Sequence, residues 1–154
     1  MDRQSLDDAR SELQDLLAGP PSVFRFDVIR SLIDVWPASS RRTALRETAR
    51  GLRRWPTLTR VASADCSRLH ALLKVPSWPL VRSLRLELYE DHATAAMLAL
   101  IRAPHASRLR SLEIQASNTE TLQALNPRRD LPGLARLYVG FPHDLTLSDL
   151  LAFL

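Results

Sequence analysis

The side chains best suited to catalysis or metal binding are few and scattered. His70, His92, His105 and His143 lie in four separate segments, with neither an HxxxH nor a His–Cys spacing that would aim two ligands at one metal. Each reads as a solvent-exposed or helix-end residue. Cys66 is the only cysteine, which excludes an internal disulfide and any multi-cysteine zinc site. No base adjoins it to make a thiolate nucleophile. Asp7-Asp8 and Glu90-Asp91 are paired carboxylates, and both fit as acids near helix N-termini, where the helix dipole favours negative charge. Four glycines leave almost nothing from which to build a phosphate-cradling loop. No nucleophile elbow, Walker loop or dinucleotide fingerprint occurs. The expectation is a protein that is not an enzyme and holds no metal and no cofactor.

Arginine is the chemistry-bearing residue that does recur. Twenty of the 21 basic residues are Arg, Lys74 being the exception, against 17 acids. The net charge is +4, and it is unevenly spread: residues 1–40 carry about −3, 41–60 about +6, 61–110 about +3 and 111–154 about −2. At about 100° per residue, Arg42, Arg46, Arg50 and Arg53 cluster on one side of a helix whose apolar stripe is Leu45, Ala49, Leu52 and Trp55. The plain reading of that stripe is a solvated face. The functional alternative is contact with nucleic acid or an acidic regulator through the basic helix 41–54.

The elements that position these residues follow from length and pattern. At 154 residues, with 45% apolar and 25% charged residues, the chain suits one soluble domain with or without a helical extension. Leucine stands out at 29 positions. In the N-terminal third, Leu6, Ala9, Leu13, Leu16 and Leu17 share a helix face after Ser5, and Gly19-Pro20-Pro21 stops it, with Gly19 free to take a left-handed cap. Phe24, Val28, Ile29, Leu32, Ile33 and Trp36 predict a second helix ending at Pro37. A third starts near Ser39 or Ser40 and ends near Trp55-Pro56.

The remainder recurs. Trp55-Pro56-Thr57-Leu58 returns as Trp78-Pro79-Leu80-Val81 and as Leu131-Pro132-Gly133-Leu134, each followed by small or apolar residues three and five positions on. The four copies are Leu58, Val61, Ser63; Val81, Leu84, Leu86; Leu109, Leu112, Ile114; and Leu134, Leu137, Val139. Short helical patterns lie between and after them, at 67–75, 91–102, 118–125 and 148–154. A strand, turn and helix of that size cannot bury its own apolar face, so units must stack.

The LxxLxL pattern with a hydrophobe-Pro-x-Leu entry, best in WPLVRSLRLEL, SRLRSLEI and LPGLARLYV, resembles leucine-rich repeat proteins, in a short bacterial-type array. The resemblance covers residues 55–154. It implies an α/β fold: a short leucine-rich-repeat solenoid of about four units, parallel strands plus helices, behind a helical N-terminal cap at 1–54. In that family the position three after the last hydrophobe of each copy is Asn or Cys. Here it is Cys66, Tyr89, Ser117 and Pro142, so only Cys66, as a buried structural thiol, conforms.

The same resemblance implies a partner-binding strand face. Its outward positions are Thr59, Arg60 and Ala62; Arg82, Ser83, Arg85 and Glu87; Arg110, Ser111, Glu113 and Gln115; and Arg136 and Tyr138. Arg and Tyr are favoured at interface hot spots. The expected function is a scaffold-like protein–protein interaction module with a protein partner. Nucleic acid is the weaker alternative, and homo-oligomer formation through the apolar tail Leu147–Leu154 is a third. The longest apolar run, Ala95–Ile101, is too short to span a bilayer, and the start is acidic and polar, unlike a secretory signal. With one cysteine, a cytoplasmic setting and no membrane contact are expected.

Overall fold

The computed structural model describes residues 3–88, 92–116 and 125–140. Three helices come first. Helix α1 (Arg3–Ala18) turns Leu13 into the core, with Leu6, Ala9, Leu16 and Leu17 flanking it. It ends at Pro20-Pro21, which cannot continue a helix. No described glycine takes a positive φ, so the proline pair and not a left-handed Gly19 makes the stop. Helix α2 (Val23–Val35) is started by Ser22, whose side chain accepts from the Arg25 N–H at 3.1 Å. Its buried face is Phe26, Ile29 and Ile33, continued by Trp36. Phe24, expected on that face, is 77% exposed. The stripe 26-29-33-36 is the better helical row, and Phe26 takes the place assigned to Phe24.

Helix α3 (Ala38–Gly51) runs into a 3₁₀ turn at Leu52–Arg54. Its inward row is Ala44, Thr48, Leu52 and Trp55, with Leu45 and Ala49 half-buried beside it. Thr48 is tolerated inside because its Oγ1 donates to the Ala44 carbonyl at 2.7 Å.

The rest is a four-stranded, all-parallel sheet in the order β1-β2-β3-β4. The strands are β1 (Val61–Asp65), β2 (Ser83–Leu88), β3 (Ser111–Ala116) and β4 (Arg136–Gly140). Helices α4 (Cys66–Leu72), α5 (Ala93–Arg102) and the short α6 (Pro127–Asp130) lie between them. Strands β1, β2 and β3 are entered through tight 3₁₀ turns at Thr57–Thr59, Trp78–Leu80 and Ala106–Arg108. The chain is therefore mixed α/β with a parallel sheet.

Register shows which side chains face inward. Ala62, Leu84, Leu112 and Leu137 form one lateral row, and Ala64, Leu86, Ile114 and Val139 the next. Leu84, Leu86, Leu112 and Ile114 are fully buried, each stabilising the fold by about 1.5–3 kcal/mol relative to exposure. The last three copies of the pattern keep the expected phase. The first does not: Ala62 and Ala64 point inward, Ser63 points out, and Leu58 is 51% exposed. Ala62 is therefore not an outward position. Two alanines supply the inward row here, so leucine spacing misplaces the copy by one residue, and a one-residue slip exchanges the faces.

A single core runs from Leu13 to Leu131. Asp34 on α2 ties the helical region to the sheet, accepting from the Ser77 N–H at 2.8 Å and its Oγ at 3.0 Å. Trp78 Nε1 donates to the Pro104 carbonyl at 2.7 Å, joining the entry turns of β2 and β3. The helical pattern expected at 148–154 and all but Leu125 of the one expected at 118–125, the turn positions Tyr89, Ser117 and Pro142, the Glu90-Asp91 pair, and the tail Leu147–Leu154 lie outside the described residues.

Candidate interaction face

Side chains alternate across a strand, so the residues between the buried rows share the opposite face. Three lateral rows result. Val61, Ser83, Ser111 and Arg136 lie nearest the strand starts, then Ser63, Arg85, Glu113 and Tyr138, then Asp65, Glu87, Gln115 and Gly140. Adjacent members are about 4.8 Å apart in backbone terms. Of the expected outward residues, this brings together Arg85, Glu87, Glu113, Gln115, Arg136 and Tyr138. Arg85 Nε donates to Glu113 Oε2 at 2.9 Å across the strands, with both groups in water. Tyr138 ends that row at 62% exposure. Ser83 is buried and donates from Oγ to the Thr57 carbonyl at 3.0 Å.

Arg60, Arg82 and Arg110 precede their strands and form a row of their own. The Arg60 carbonyl accepts from the N–H groups of Arg82 and Ser83, and the Arg82 carbonyl from those of Arg110 and Ser111. The Arg110 carbonyl accepts from Ala135 and Arg136. Their guanidiniums cap the entry turns. Arg60 donates to Leu80 O from Nη2 at 2.7 Å and from Nε at 3.1 Å. Arg82 Nη1 reaches the Pro79 and Val81 carbonyls, and Arg110 Nη1 the Gly133 carbonyl at 2.8 Å.

Arg60 was expected to face a partner, and the structure corrects that. It is 7% exposed, and its fork is consumed by the Leu80 carbonyl in the 3₁₀ turn before β2 and the Leu52 carbonyl after α3. Burial, then the neighbouring Arg82, lowers its pKa from the ordinary value to about 10. Turn carbonyls that would otherwise be orphaned in the interior are satisfied by this arginine row. Gly133 belongs to the same device: a Cβ there would collide with the Ser107 carbonyl, so the chain passes too close for any side chain.

The open face deepens at the strand ends into a cavity of about 330 Å³ lined by Ser63, Asp65, Arg68, Arg85, Glu87 and Glu113. Sequence reasoning missed Ser63, Asp65 and Arg68 as members. Asp65 is the N-cap of α4, accepting from the Arg68 N–H at 2.9 Å and from Ser67 Oγ at 2.6 Å. The Ser67 hydroxyl, then the Arg68 amide, hold its carboxyl below the usual range. An Asp three residues before Arg68 at a strand-to-helix junction is a cap signature, and it was the available signal.

Cys66 is half-buried, with Sγ 3.7 Å from the Glu87 carbonyl, a weak contact to the neighbouring strand. Arg42, Arg46, Arg50 and Arg53 are all exposed, and among the described residues no carboxylate lies within 4.0 Å of any of them. His70, His92 and His105 stay apart on the surface, and His143 lies outside the described residues. Among the described residues no three His, Cys, Asp or Glu side chains gather as a metal site would need, and no helix is long and apolar enough to cross a membrane. No protein-family model, curated protein or solved structure matches the chain.

Proposed function

We propose that this protein is a non-catalytic interaction module that binds a protein partner across its strand face, and that its architecture is a short leucine-rich-repeat-like solenoid behind a helical cap. One observation carries the reading: the sheet is all-parallel, yet among the described residues nothing covers Arg85, Glu87 and Tyr138 on one face, and Glu113 between them is half-exposed. All-parallel sheets are almost always covered on both faces, so an open one is a surface awaiting a partner. Its chemistry fits a protein. An exposed Tyr, charges of both signs and side-chain amides match the polar, aromatic-anchored composition of transient interfaces.

The test is capture from nuclease-treated native extract with wild-type protein and with an Arg85→Ala/Tyr138→Ala variant. Both side chains are exposed, so the variant folds. A protein retained by the wild type and lost by the variant supports the face, and equal retention overturns it. The second reading, nucleic acid or an acidic regulator on α3 and the turn after it, draws on Arg42, Arg46, Arg50 and Arg53, which meet no carboxylate within 4.0 Å among the described residues. It predicts affinity that falls steeply with salt and is lost in Arg46→Glu/Arg50→Glu.

A further inference from the structure

The edge where the strands begin is chemically distinct from the face they form. Arg60, Arg82 and Arg110 are lateral neighbours there, and the turn entering β3 adds Arg108 and His105. Among the described residues no carboxylate lies within 4.0 Å of Arg82, Arg108 or Arg110. The positive charges therefore face one another. Burial, then Arg108 and Arg110, lower the Arg82 pKa, and burial, then Arg108 and Arg82, lower that of His105. Two members of the cluster are held in place. Arg82 and Arg110 are each anchored through Nη1 to turn carbonyls, while Arg108 is exposed beside them. His105 holds the turn in a left-handed conformation (φ 69°), which a histidine visits more readily than most residues. Fixed, uncompensated donors lose little entropy on meeting an anion.

We propose that this edge docks an acidic segment of the partner protein, whose carboxylates lie against Arg82, Arg108 and Arg110. The inference rests on the reading of the sheet as protein-binding. It favours polypeptide over nucleic acid because Glu113 stands about 10 Å along β3 from Arg110, with Glu87 beyond it. A continuous phosphate backbone leaving the edge for the face would meet those carboxylates, whereas a protein segment can change charge along its length. The edge also offers no exposed Phe, Tyr or Trp among the described residues on which bases would stack, Trp78 being buried.

The experiment titrates the full chain with a fluorescent glutamate-rich peptide and, separately, with a single-stranded oligonucleotide of equal charge, at low and at physiological salt. Arg108→Glu should weaken peptide binding by about tenfold or more, and Arg108→Ala by less, since reversal adds repulsion to the lost attraction. Arg10→Glu on α1, an exposed arginine outside the edge, the strand face and the α3 stripe, should leave it unchanged. Undiminished peptide binding by Arg108→Glu overturns the proposal, as does an oligonucleotide that binds as tightly as the peptide. The assay contains no partner, so its outcome is independent of whether the strand face captures one.

Discussion

The arginines of α3 and those at the sheet are the same residue put to opposite uses. On α3 and the 3₁₀ turn that ends it, Arg42, Arg46, Arg50 and Arg53 stand in water, held by no carboxylate among the described residues. At the sheet, Arg60, Arg82 and Arg110 are committed to backbone carbonyls, and Arg85 is committed to Glu113. The contrast teaches that arginine content alone says little about binding. A guanidinium whose whole fork closes turns, as that of Arg60 does, is structural, one held by a single nitrogen keeps donors to spare, one that crosses strands is paired, and one on a solvated helix is none of these.

The contrast is most sharply broken in the interior. Leu86→Ala should cost about 2–5 kcal/mol in urea unfolding, because it opens a cavity under the face. Arg60→Ala should follow at about 1–3 kcal/mol, since the buried Leu80 carbonyl loses its donors. A cost for Arg60→Ala no larger than that of Arg46→Ala, which should stay within about 0.5 kcal/mol, would erase the distinction between the two regions. Arg85→Ala lies between them. Its exposed pair with Glu113 should contribute about 0.2–1 kcal/mol in a double-mutant cycle, diminishing with added salt.

The smallest effect concerns pH. His105 has a lowered pKa, by burial and then by Arg108 and Arg82, so the unfolded chain binds its proton more readily. Its contribution to stability is therefore highest above the ordinary histidine value and is lost as pH falls through the depressed one. His105→Asn, which tolerates the left-handed backbone, should flatten that part of the stability profile. An unaltered profile would remove His105 from the positive edge.

Much of the fold was legible because leucine is a large marker with a strict period. Leu84-Leu86, Leu112-Ile114 and Leu137-Val139 announced inward rows, and the alternation between them placed Arg85, Glu87, Glu113, Gln115 and Tyr138 on the other face. The first strand was harder to read. Ala62 and Ala64 fill its inward positions, and alanine is as common outside as inside. Phe24 and Phe26 posed a similar problem in α2, since two aromatics so close both appeal to a helical pattern and only the deeper row decides. Arg60 was misjudged for a different reason. Alternation predicts the direction of a side chain within a strand, but Arg60 precedes β1, and its fork turns onto the Leu80 carbonyl, 20 residues away in sequence, and the Leu52 carbonyl, 8 away. The cavity at the strand ends escaped notice because Asp65 and Arg68 reach it from a helix cap, where pairing rather than polarity is informative.

The central claim is that a protein partner sits on the open strand face. Site-specific photo-crosslinking tests it most directly, with the reactive side chain placed at Tyr138 in one protein and at Arg46 in another, in nuclease-treated extract. A discrete protein adduct from position 138 that is absent from position 46 is the predicted result. An adduct confined to position 46, or none from 138, would contradict the account.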